Sequence, residues 1–381
     1  MNNKYVKFLL ILFTSSIITI SCSDADDNSE YIEIVPSPVS VDLTQVPYSK
    51  LSDYHFFKGD LKNQIPEDDV LPYKPIATLF TDYALKKRFV WMPKGAKATY
   101  NTDDTNLELP VGAAIIKTFY YDNMQPNNTT RIIETRIMIR KNDGWIFADY
   151  VWNDEQTEAY LDMLGSTTAV SFKNNNNQII DVPNYDIPNE SQCIICHKER
   201  ILNPNGTETV TNIPIGIKPQ LLNSDYNYGN GYENQLAKWV AVGYLDSNFT
   251  YPTAANTCVD YNDTSKPIDI RMRSYFDVNC AHCHNENRHC DYRMLRLSFK
   301  NTGLTNGLAN MGVCQDTEDM QGFAPALSKV VTPMNKNRSM LYHRLNTTDA
   351  SFMMPLHGRT IIHTEGVALI EQWINSLEPC Q

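Results

Sequence analysis

Two pentapeptides carry the residues best suited to chemistry: Cys193-Ile194-Ile195-Cys196-His197 and Cys280-Ala281-His282-Cys283-His284. Cys-x-x-Cys-His is the spacing at which two thiols add to the vinyl groups of a porphyrin while the next imidazole binds its iron. Residues three and four apart on a helix share a face, so both sulfurs and the ring can address one edge and one side of a flat macrocycle. The pattern predicts two covalently attached haem c groups. Cys193 and Cys196 would hold the first and Cys280 and Cys283 the second, with His197 and His284 as the iron ligands. One structural zinc on the four cysteines is the competing arrangement, as in zinc ribbons. The long separation of the pairs, the His after each and an oxidising compartment weigh against it.

A second axial ligand is predicted for one iron. Met354 stands before Pro355 and ahead of a terminal helix that contains Trp373, and it is the expected partner of His284. The carbonyl of Pro325 is expected to orient His284. Between His197 and Leu245 there is neither Met nor a further His, so the first iron receives no local partner. His55, Met92, Met124 and Met163 are remote candidates. His282 is expected to face solvent or a propionate, and His289, His343, His357 and His363 read as ordinary polar positions.

These residues need elements to position them. Ile133 to Arg140 alternates apolar or Thr with mostly charged residues, the pattern of a strand with one wet face. Val111 to Tyr120 and Gly144 to Trp152 read as its neighbours, and Asp154 to Leu164 as a short helix. Lys117, Glu134 and Arg136 then fall on a solvated face. A Pro- and Asn-rich loop follows His197, and Asn234 to Tyr244 suggests a short helix over the first cofactor. Pro267 to Asn279 forms a helix into the second motif. A last helix is capped by Thr364, with Val367, Ile370, Ile374 and Leu377 as its apolar stripe. The expected fold class is α+β, a β-rich N-terminal domain followed by mainly α-helical cytochrome c-like haem modules. The expected domains are a lipoprotein signal peptide over 1–21, a tether over 22–46, a β-rich domain over 47–190, a first haem-binding module over 191–255 and a class I cytochrome c-like domain over 266–380.

The 381 residues and 42% apolar content are those of a chain that buries real cores. Lys4 and Lys7 precede an apolar run from Phe8 to Ile20, too short and too terminal for an ordinary span, and Ser21 leads into Cys22. Cys22 is therefore the expected lipidation site, anchoring the exported protein to the outer membrane, facing the periplasm or the cell surface. A net charge of −11 argues against nucleic acid as a partner and favours a basic-faced redox protein. Of nine cysteines, Cys258, Cys290, Cys314 and Cys380 remain after the motifs and Cys22. Export suggests disulfides, with Cys290 to Cys314 and Cys258 to Cys380 as the expected pairs.

Further stretches extend the pattern. Leu51-Ser52-Asp53-Tyr54, Leu79-Phe80-Thr81-Asp82-Tyr83-Ala84, Glu134-Thr135-Arg136, Tyr150-Val151-Trp152-Asn153, Asn279 through His284 and Met354-Pro355 together resemble a poorly characterised family of exported dihaem c-type cytochromes. That resemblance implies two haems and electron transfer, with no established substrate. A β domain followed by Cys-x-x-Cys-His also looks like the small β-sheet haem proteins with one open iron site, by architecture alone. The expected function is transfer of electrons between periplasmic or surface redox partners rather than catalysis. The alternative is a haem enzyme or gas-binding sensor using an open iron site at His197.

Overall fold

The alternating stretch around Ile133 becomes the centre of an eight-stranded antiparallel sheet in a computed structural model that describes residues 36–380. The expected leader over 1–21, Cys22 and the first part of the tether lie outside the described residues. The strands are β1 (Leu71–Pro72), β2 (Leu85–Trp91), β3 (Ala114–Met124), β4 (Thr129–Lys141), β5 (Gly144–Trp152), β6 (Ala159–Leu161), β7 (Ser166–Lys173) and β8 (Ile179–Ile187). They run in the order β8-β7-β3-β4-β5-β6, with β2 also paired to β3 and β1 to β2. The sheet forks at the end of β3, where Met124 lies opposite Phe172 of β7.

Both faces of this sheet are covered. On one side Ile137, Ile139, Ile116 and Ala148 pack with Leu51 and Tyr54; on the other Met138, Ile115 and Phe147 pack with Leu236 and Trp239. The single wet face expected of β4 is therefore absent, and Glu134 is 0% exposed. A register shift opposite Phe119 and Tyr120 leaves Ile132 and Ile133 both buried, which breaks the simple alternation.

The expected mainly helical haem modules are not what the chain forms. Among the described residues strand outweighs helix, 27% against 21%. Four helices matter to the site: α1 (Glu190–His197), α2 (Gln235–Ala241), α3 (Ile268–Asn279) and α4 (Thr364–Ser376). Much of the remaining C-terminal half is short turns, for a local reason. The carboxylates of Asp263, Asp319 and Asp349 each accept the amide two residues on, a bond that competes with helix. Asn287, Cys314 and Met334 sit in the left-handed region. The expected helix over Asp154 to Leu164 is instead a turn leading into β6, because Asn153 Oδ1 accepts the amides of Thr157 and Glu158. The loop expected after His197 is a hairpin of β9 (Lys198–Leu202) with β10 (Glu208–Asn212).

Helices α3 and α4 lie where the periodicity put them and pack on each other. Phe276 meets Trp373 edge-on, with ring centroids 5.7 Å apart, and Met272, Ile370 and Ile374 are fully buried around them. His363, not Thr364, is the residue that precedes α4 as its cap. A disulfide joins Cys314 to Cys380 in place of the expected pairs, while Cys258 and Cys290 are buried thiols. Cys258 packs with Met272 and Phe276 in the helical core, whereas the amide of Cys290 is bonded to the carbonyl of Cys283. Closing so long a loop constrains the unfolded chain by about 4 kcal/mol in the chain-entropy account.

His363 is 8% exposed, stacked on Phe80 at 4.1 Å and 3.2 Å from the Tyr275 hydroxyl. Burial lowers its pKa to about 4. The unfolded imidazole titrates near ~6.5, so between these values the unfolded chain holds more protons. The stability tied to neutral His363 is complete above that upper value and is lost as pH falls towards the lower one. Thermal unfolding followed across this window should show Tm falling with pH. His363→Phe, which keeps the stack, should flatten part of that slope, and an unchanged slope would assign it to other groups.

Candidate functional site

Helix α1 begins in a capping box. Asn189 Oδ1 accepts the Gln192 amide and Gln192 Oε1 accepts the Asn189 amide, which orients the turn that carries Cys193, Cys196 and His197. The hairpin β9-β10 then brings Ile213 back onto the motif. His197 Nδ1 lies 2.7 Å from the Ile213 carbonyl. A carbonyl only accepts, so Nδ1 carries the hydrogen and Nε2 is left with its lone pair. This is the arrangement that readies an imidazole as a metal ligand. Burial lowers the His197 pKa to about 4, which keeps the ring neutral. Cys193, Cys196 and His197 line one cavity together with Ile115, Met138 and Phe147 of the sheet, and the Phe147 ring meets that of His197 with centroids 5.2 Å apart.

The second motif follows α3 directly. The Cys280 amide is still bonded to Phe276, and the His284 amide to the Cys280 carbonyl, so the helix tightens into a turn that presents its thiols and ring. Cys280, Cys283 and His284 line a second, mostly apolar cavity together with Leu295, Met340 and Met354. His284 and Met354 thus share a cavity. The expected bond from Pro325 is not formed: His284 Nδ1 is buried without a partner. Burial lowers the His284 pKa to about 4 as well.

The two cavities meet. Cys196, His282, Pro355 and His357 line both of them. His282 is half-buried with Nδ1 unpartnered, not turned to solvent. Ligand atoms of Cys196, His282 and Cys283 all lie within 4.8 Å of one another. Cys283 Sγ donates to the Ile195 carbonyl at 3.9 Å, and the closeness of the two sulfurs holds Cys196 well below the ordinary thiol range and pushes Cys283 up. Cys193 and Cys280 stand outside this group, so four converging sulfurs are not formed.

Of the remote candidates for the first cavity, only Met163 lines it. His55 is exposed at the end of a 3-10 turn, and Met92 and Met124 are buried in separate hydrophobic clusters. Met138 and His357 also line it and were not singled out by the sequence pattern.

The charged residues of the sheet are not a solvated face. Glu134 accepts two bonds from Arg136, at 2.5 and 2.9 Å, and one from the Tyr185 hydroxyl at 2.7 Å. Burial pushes the Glu134 carboxyl up, but the Arg136 guanidinium outweighs it and holds Glu134 below the usual carboxylate range. Asp149, 3.5 Å from Arg136, is pushed well above that range by burial and by the Glu134 charge. Lys117, Arg136 and Asp149 all line the first cavity. Alternation reveals which residues share a face, not that a distant segment covers it.

That segment is Leu79 to Ala84. Asp82, 1% exposed, accepts the amides of Thr360 and Ile361 and the Thr360 hydroxyl, at 2.8 to 3.0 Å. Asn279 Oδ1 accepts the Phe80 amide at 2.8 Å, and Tyr83 donates to Glu365 at 2.7 Å. The sheet is thereby tied to α3, to α4 and to the loop that carries Met354.

No protein-family model, curated protein or solved structure matches the chain. Removing one member of a buried ion pair strands the other, at about 3–5 kcal/mol. Glu134→Ala should therefore lower unfolding free energy by about that amount, measured by denaturant titration. A loss nearer ~1 kcal/mol would mean that Asp149 takes over as the partner of Arg136.

Proposed function

We propose that this chain is an exported dihaem c-type cytochrome that carries electrons between redox protein partners of the periplasm or cell surface. The observation that carries the reading is the presence of two cavities, each walled by a thiol pair and a neutral imidazole from one Cys-x-x-Cys-His. The haems, when bound, would supply reversible one-electron chemistry at iron. The chain's own part is to attach, orient and shield them. Cys193 and Cys196 on one side and Cys280 and Cys283 on the other are the attachment thiols. His197, its Nδ1 committed to Ile213, offers Nε2 to one iron. His284 and Met354 line the same cavity and would serve the other, where a thioether raises the potential and closes the iron to small molecules. Export with a lipid at Cys22 would fix the protein to the outer membrane, and the net charge of −11 suits a basic-faced partner better than nucleic acid.

A second reading has its own support. Arg136 and Asp149, whose carboxyl burial pushes well above the usual range, line the cavity of His197 and would supply acid-base groups for a haem enzyme or gas-binding sensor at that iron. A soft metal on Cys196, His282 and Cys283 is the outcome that would displace both.

Protein from a host with haem-attachment machinery should carry two haems per chain by pyridine haemochrome assay. Replacing either cysteine pair with alanine should remove one. Zinc without haem in the same preparation would sink the proposal. Met354→Leu should convert one haem to a high-spin or misligated state with both still attached; an unchanged spectrum would dismiss Met354 as a ligand. Carbon monoxide that alters the spectrum of the wild type would favour the open site at His197.

A further inference from the structure

We infer that Arg88 and Lys117 form a binding site for anionic oxygen, a carboxylate or small oxyanion, on the sheet wall of the first cavity. Arg88 of β2 and Lys117 of β3 are direct cross-strand partners, and Arg136 of β4 stands opposite Lys117 on its other side. Three cations thus form one row across three strands. Like charges directly opposite on neighbouring strands repel, and burial removes the water that would screen them. Arg136 is neutralised by Glu134 and flanked by Asp149. Arg88 and Lys117 have no carboxylate within 4.0 Å among the described residues. Arg88 is only 7% exposed, and the Lys117 ammonium is held over the Phe119 ring at 4.8 Å.

A second observation points to the same place. Both residues also line a smaller cavity adjoining the first, and that cavity is bordered by Arg288 Nη1 and His282 Nδ1, two buried nitrogens with no hydrogen-bond partner. Of its other cations, Lys218 is paired with Asp277 at 2.7 Å and Arg288 with Glu199 at 3.1 Å. The space is walled by Arg88 and Lys117, which lack a carboxylate partner, and by four unpartnered polar atoms, Arg288 Nη1 and His282 Nδ1 beside Asn106 Oδ1 and Asp277 Oδ2. Burial and the neighbouring cations push the Lys117 amine well below its ordinary range, a shift that a bound anion would reverse. An arginine fork matches the paired oxygens of a carboxylate or oxyanion, and a lysine adds a point charge beside it. Asp149, pushed well above the usual carboxylate range by burial and by the Glu134 charge, lies 3.5 Å from Arg136 and not within 4.0 Å of Arg88 or Lys117.

Two sources can supply such oxygens: a carboxylate carried by a group attached at Cys193 and Cys196, or a free small oxyanion that enters the cavity. The first source rests on the dihaem reading and the second does not. Calorimetric titration of the purified full-length protein with nitrite and with acetate at low ionic strength separates them. If the source is a free oxyanion, the wild type binds the probe at one saturable site, and Lys117→Met or Arg88→Gln weakens it about tenfold or more. If the source is a tethered carboxylate, the wild type ignores both probes. Cys193→Ala/Cys196→Ala, which cannot attach the group, then binds them, and adding Lys117→Met removes that binding. The haem content of the same preparation, read by pyridine haemochrome, separates failure of the dihaem reading from failure of this site: a chain whose first motif carries no haem leaves the site open and binds the probe, and Lys117→Met weakens that binding too. Lys117→Met matches the length of the side chain it replaces, and circular dichroism checks that it folds. The inference is overturned if neither the wild type nor the double-alanine variant binds either probe, or if Lys117→Met binds as tightly as its parent.

Discussion

A single buried carboxylate holds the site together. Asp82 accepts two amides and one hydroxyl from Thr360 and Ile361, and its own carbonyl accepts the Tyr121 hydroxyl at 2.7 Å. Bonds to a charged acceptor are worth more than neutral ones, and in a site closed to water their loss is not made good by solvent. Through this residue the sheet is fastened to the loop carrying Met354, while its neighbours Phe80 and Tyr83 reach Asn279 and Glu365. The two motifs are far apart in sequence. They become neighbours because this short segment bridges the strands to both long helices.

The sheet has a second duty besides scaffolding. Its face towards the first motif is apolar in one row, Val90, Ile115, Met138 and Phe147, and ionisable in the next, Arg88, Lys117, Arg136 and Asp149. The apolar row packs Cys193 and Ile194 of α1. In the ionisable row Arg136 finds its partner in Glu134, which the Tyr185 hydroxyl also bonds, whereas Arg88 and Lys117 have no carboxylate within 4.0 Å among the described residues. Packing and electrostatics are therefore divided between adjacent rungs of one ladder.

Much of this was legible in the residues themselves. The two pentapeptides and Met354 named the side chains that line the cavities, β5 runs from Gly144 to Trp152 as its pattern indicated, and the periodicity of Val367, Ile370 and Ile374 located α4. What was not legible depends on contacts between distant segments. Lys117, Glu134 and Arg136 alternate like a wet face, and only the arrival of Leu79 to Ala84 and of α1 makes that face an interior one. Cys314 finds Cys380 and not Cys290, because spacing says nothing of which thiols the turns bring together. The C-terminal half forms less helix than its apolar periodicity implies, since Asp side chains there bond to nearby amides instead.

Cys196, His282, Pro355 and His357 belong to both cavities. Any group seated in one therefore presses on atoms that the other also feels, and its free energy includes the state of its neighbour. Such coupling is reciprocal by thermodynamic necessity. If each chamber takes a group, the one bound first alters the affinity of the second, and the second returns the same amount to the first. Two groups bound here would then form a linked pair of sites rather than independent ones.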